Sequence, residues 1–175
     1  RFDPVKGHDV LIDAARLLKP QVHGLKILCA GEGTLLERLR ERLKPQGLDG
    51  TVSLLGRVAD KWDFLSGCRI GVVASIGSEA VSRAALEWMA SARPLVAARV
   101  GGIADLVKDG VTGLLVAPGD AAALAAALKS LLDDPARAEA MGAAARKRWE
   151  TKHSLETFYR NTQKIYDEAI HSLPR

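Results

Sequence analysis

Apolar and polar residues follow two different periods along this chain, and blocks of the two periods alternate. Residues 8–18, His-Asp-Val-Leu-Ile-Asp-Ala-Ala-Arg-Leu-Leu, place apolar side chains at helical spacing and stop before Pro20, which lacks the N–H to continue a helix. They predict a first helix. Residues 25–30 form a short apolar run closed by Gly31-Glu32-Gly33, which predicts a strand, and helical spacing rich in charge resumes over 34–44. The alternation then repeats as strand 51–55, short helix 60–66, strand 69–74, helix 82–91 and strand 94–98. After Gly101-Gly102 a turn-rich segment leads to a last strand at 113–116 and a turn at Pro118-Gly119-Asp120. From Ala121 onward the chain is Ala- and Leu-rich at helical spacing, broken at Asp133-Asp134-Pro135, and it ends in a helix over 154–170.

Strands that alternate with helices about every 20 to 25 residues imply right-handed βαβ crossovers and a parallel sheet covered on both faces. The expected class is α/β with a doubly wound parallel sheet, and residues 1–175 are expected to form one domain. In such a sheet ligands bind at the carboxyl ends of the strands, where helix N-termini present free N–H groups to anions. The loops after Ala30, Leu55, Ala74 and Ala98 are therefore the candidate site.

Composition narrows the ligand. A chain of 175 residues suits one core that buries about 70% of the unfolded surface. It is 47% hydrophobic and 26% charged, and without an apolar run of about 18 residues no membrane span is expected. Cys29 and Cys68 lie in or beside apolar runs, which suits small buried hydrophobes in a reducing compartment. His8, His23, His153 and His171 stand singly, without zinc spacing, so no metal site is expected. The net charge of +4 comes from 25 basic residues interleaved with 21 acidic ones, and 5% of residues are aromatic. That pattern favours a small phosphate-bearing ligand over nucleic acid, which asks for a basic stripe with stacking aromatics.

The sharpest local feature is Ser75-Ile76-Gly77-Ser78-Glu79 followed by Glu87 in Leu86-Glu87-Trp88-Met89-Ala90. With Glu79 in the loop and Glu87 a turn and a half inside the helix, both carboxylates can border one crevice and accept hydrogen bonds from hydroxyls. Spacing alone fits two solvated helix charges better. Trp88 and Met89 read as core.

Taken together and in order, several segments resemble the retaining glycosyltransferase family 4, which has the two-domain GT-B architecture. They are Arg1 with Lys6-Gly7, Gly31-Glu32-Gly33, Leu55-Gly56-Arg57-Val58, Glu79 with Glu87, Gly101-Gly102 and Thr112-Gly113-Leu114-Leu115-Val116. The resemblance covers almost the whole chain and implies a Rossmann-like, nucleotide-sugar-binding C-terminal domain. It implies that Arg1 and Lys6 clamp the donor diphosphate and neutralise charge growing on the leaving group, in place of a metal. Glu87 would hold the ribose hydroxyls and Glu79 the transferred sugar, while backbone N–H groups of Ala80, Val81 and Ser82 approach the phosphate. The family usually has Gly where this chain has Ala80. Arg57 and Val58 would line the base, and Gly31, Gly33, Gly101 and Gly102 would let the backbone come close to phosphate or sugar. Arg83 is either a phosphate contact or a surface residue, and Asp105 stands where the family commonly has Glu.

By the same resemblance the donor is a UDP-, GDP- or ADP-sugar, with no other cofactor, and the acceptor is a glycan or a lipid-linked molecule. The opening at Arg1 without Met adds the expectation that an N-terminal acceptor domain is missing and that the chain alone is inactive, and the resemblance implies that helix 154–170 crosses towards that domain. A cytoplasmic location is expected, or a peripheral one at the inner membrane face for the intact enzyme. A nucleotide-sugar epimerase of the same architecture is an alternative reading. An NADP-binding domain is another, although Leu36 stands where its fingerprint needs a third glycine. A structural module that has lost catalysis is the non-enzymatic alternative.

Overall fold

The computed structural model describes residues 1–77 and 80–172. After a 3-10 turn at Pro4–Lys6 come α1 (His8–Leu18), β1 (Ile27–Ala30), α2 (Leu36–Leu43), β2 (Val52–Gly56) and α3 (Lys61–Ser66). There follow β3 (Gly71–Val73), α4 (Arg83–Ala90), β4 (Leu95–Ala98), α5 (Ile103–Leu106), β5 (Gly113–Val116), α6 (Ala121–Asp133), α7 (Pro135–Lys152) and α8 (Leu155–Ser172). Each predicted strand and helix is present. The short α5, within the segment expected to be only turns, is an addition.

Helix starts follow local chemistry. Asp60 accepts from the N–H groups of Trp62 and Asp63 and so caps α3, Ser82 accepts from Ala85 and caps α4, and Asp120 caps α6 through Ala123. Asp134 caps α7 through the N–H of Arg137, and Pro135 fills the first helical position, where no N–H is needed.

All strand pairs are parallel, as expected, in two ladders: β1 with β2, and β3-β4-β5. Central β4 pairs Leu95 with both Gly71 and Gly113, and all four of its residues are buried. Its side chains alternate between two cores, as a strand's must. Val96 joins Leu11, Ile12, Leu18, Leu124 and Leu128 of α1 and α6. Leu95 and Ala97 join Leu65, Ala85, Trp88 and Ile103 of α3, α4 and α5. Helices therefore cover both faces, and the α/β, Rossmann-like class stands. Among the described residues no helix is long and apolar enough to cross a membrane.

Candidate functional site

Within each ladder the parallel strands send their carboxyl ends the same way, so the loops after β1 and β2 open on one side, as do those after β3 and β4. The first seven residues run between these two sets of loops. The Phe2 N–H donates to the Glu32 carbonyl at 2.8 Å, the Leu35 N–H donates to the Phe2 carbonyl at 3.0 Å, and the Ile76 N–H donates to the Val5 carbonyl at 2.9 Å. One segment thus ties the loop after β1 to the loop after β3. The end of β2 joins through the Gly31 N–H, which donates to the Gly56 carbonyl at 2.7 Å.

This crossing demands glycine at two places. Gly7 has φ 66° and lies so close to β3 that a Cβ there would run into the Ala74 carbonyl oxygen. A Cβ on Gly33 would stand 2.5 Å from the Phe2 carbonyl oxygen. Substitution at either position pushes the opening segment off the strand ends.

Of the expected cationic residues, Lys6 ends the 3-10 turn, half-buried and next to Gly7, while Arg1 is exposed and pairs with Asp3 at 3.1 Å. His8, the first residue of α1, stacks on Phe2 with ring centroids 4.7 Å apart. Burial pushes its imidazole down to about 4, so it stays neutral beside Lys6 at neutral pH.

Ser82 is buried and spends its hydroxyl as the α4 cap, with Oγ 3.4 Å from the Ala85 N. Ala80 and Val81 precede it, exposed, and the first-turn N–H groups of a helix have no partner within it. Glu87 is half-buried on α4 and accepts from Lys61 Nζ at 2.8 Å. Lys61 was not foreseen as part of the site. Its signal was its place at the head of the helix that follows one of the candidate loops.

Arg57 is exposed and Val58 half-buried beyond β2. Gly101, at φ 47°, and Gly102 follow β4, and their carbonyls accept the first hydrogen bonds of α5. Arg83 is exposed, and the exposed Asp105 offers its carbonyl to Arg148. Glu79 lies outside the described residues.

Residues 1–134 match the family model described as glycosyl transferases group 1. The chain belongs to that family. A glycogen synthase from Mycobacterium tuberculosis is 32% identical over 169 residues, which cover 95% of this chain and 40% of that protein. Among solved structures, Anabaena HepE in complex with UDP superposes with a TM-score of 0.89 at 25% identity, covering 96% of this chain and 47% of that one. HepE in complex with UDP-glucose gives 0.87 at 26% identity, with the same shares covered. The C-terminal domain of a group 1 glycosyl transferase family protein from Francisella tularensis gives 0.80 at 25% identity, covering 89% of this chain and 83% of that one. The chain spans about 40% of the glycogen synthase and under half of HepE. Its fold is that of one Rossmann-like half of a GT-B glycosyltransferase.

Proposed function

We propose that this chain is the donor-binding half of a retaining glycosyltransferase of family 4, which transfers a sugar from a nucleotide-diphosphate sugar to a glycan or lipid-linked acceptor. The observation that supports the reading is the crossing of residues 1–7 from the loop after β1 to the loop after β3, a segment that carries Lys6. The UDP and UDP-glucose complexes of HepE support a nucleotide-sugar donor.

In this reading Lys6 and Arg1 neutralise the diphosphate as the glycosidic bond breaks, without a metal. Arg1 must first leave Asp3. Ala80, Val81 and Ser82 offer backbone N–H groups to phosphate, Arg57 and Val58 flank the base, and Glu87 takes the ribose hydroxyls. Gly31, Gly33, Gly101 and Gly102 let the backbone approach, and Glu79 holds the transferred sugar. The acceptor belongs to an N-terminal domain of a longer protein. The α8 stripe of Leu155, Phe158, Tyr159, Ile165, Tyr166 and Ile170, all exposed, docks on that domain. Alone the chain transfers no sugar, because positioning the acceptor is worth about 7–11 kcal/mol of the barrier.

Titration of UDP, GDP, ADP and their sugar conjugates tests the reading. Lys6→Ala is expected to weaken binding by about 1.5–3 kcal/mol, the scale of a charge-assisted hydrogen bond. Glu87→Gln is expected to hurt nucleotides more than free pyrophosphate. No binding by any of them at millimolar concentration overturns the donor site, and binding only with a divalent metal overturns the metal-free mechanism.

A further inference from the structure

Glu87 meets a cation that arrives from a different helix. Lys61 is the first residue of α3 and Glu87 the fifth of α4, and their side chains close to 2.8 Å between Nζ and Oε1. Both backbones are fixed at that point. Asp60 caps α3 with hydrogen bonds of 2.7 and 3.2 Å to the N–H groups of Trp62 and Asp63. Ser82 caps α4, and the Glu87 carbonyl accepts from the Ser91 N–H at 3.0 Å and from its hydroxyl at 2.9 Å. The ammonium is held from a second side as well, 4.8 Å from the centroid of the Trp62 ring.

We propose that Lys61 is a positioning residue for nucleotide recognition: it pins one oxygen of the Glu87 carboxylate so that the other faces the ribose hydroxyls. The proposal rests on the donor-site reading above. Stability does not explain such a pair, since partly exposed ion pairs contribute little to folding. Its value lies in preorganisation. A free glutamate loses rotamer freedom when it captures a ligand, whereas one already held by a lysine has lost that freedom before the ligand arrives. The geometry also separates two roles for Lys61. A cation acting only through its charge strengthens every phosphate ligand alike, while a cation that aims Glu87 strengthens only ligands with hydroxyls for Glu87 to hold.

The test titrates UDP, GDP and ADP, their 2′,3′-dideoxy counterparts, and pyrophosphate against the chain, Lys61→Met, Lys61→Gln and Lys61→Arg, with thermal melts to confirm folding. The preference for ribose over dideoxyribose is expected to fall about three- to tenfold in Lys61→Met and Lys61→Gln, the scale of one immobilised side chain. Lys61→Arg is expected to restore it, and pyrophosphate affinity is expected to stay within about twofold, because the pinned carboxylate never meets pyrophosphate. An unchanged ribose preference in the Met and Gln variants, or an equal loss for pyrophosphate, overturns the positioning role and leaves the donor site standing. A chain that binds no nucleotide at all overturns both.

Discussion

α7 and α8 are both 18 residues long, and they meet the rest of the molecule in opposite ways. α7 buries one large apolar residue, Met141, among the small Ala138, Gly142 and Ala145. It nevertheless docks tightly. A Cβ on Gly142 would run into the Ala92 carbonyl oxygen, Arg146 donates to the Ala90 carbonyl, and Arg148 donates to the Leu106 and Asp105 carbonyls at 2.9 and 2.8 Å. α8 carries a broad stripe of large apolar residues at helical spacing, yet Leu155, Phe158, Tyr159, Ile165, Tyr166 and Ile170 are 61–66% exposed. Among its described residues Thr157 is the buried one. Docking within this chain therefore follows close fit and the supply of donors to free helix-end carbonyls. The strength of an apolar stripe reports instead how much surface a helix has to cover.

Overfilling the tight contact should break α7 first. Gly142→Leu is expected to destabilise the chain by about 3 kcal/mol, read from the urea midpoint, because the Ala92 backbone has to move. Arg148→Met should cost about 1.5 kcal/mol in the same titration, through two carbonyls left without a charged donor. A chain ending at Ser154 should unfold within about 0.5 kcal/mol of the full one. The amides of α8 should exchange much faster than those of β4. A large loss of stability on that truncation would mean that α8 packs on the body after all.

The smallest effect sits at the junction of the two helices. Burial, then the charges of Arg148 and Lys152, hold the His153 imidazole below its ordinary 6.5. The unfolded chain then binds the proton more readily, so the contribution of neutral His153 is full above about pH 6.5 and fades as the pH falls below it. His153→Gln should flatten the acid side of the stability profile slightly, and an unchanged profile would place the acid loss elsewhere.

How much of this was legible in the sequence depends on separation along the chain. Periodicity located the strands and the long helices, and Asp60 and Ser82 marked two helix starts, because these signals act within a few residues. α5, four residues long, is too short for a period to register. The order of glycines and charged residues marked the strand-end loops. It did not reveal that the Phe2 and Val5 carbonyls bind the loops after β1 and β3, or that Lys61 reaches Glu87 across 26 positions. Those contacts arise only once the crossovers have folded. The division of the sheet into two ladders was likewise invisible, since β1 and β3 read as equivalent apolar runs.

We propose that the strand-end loops joined by residues 1–7 hold the diphosphate and ribose of a nucleotide sugar. The most direct measurement is residue-resolved amide exchange of the chain with and without saturating UDP, GDP or ADP and their sugar conjugates. Slowed exchange is expected at residues 31–33, 57–58, 80–82 and 101–102 with one of these bases, and no change at α7. Slowing confined to the groove that Leu17 and Gln21 line with Ala122, Ala126 and Lys129 of α6, or none with any of them, would overturn that assignment.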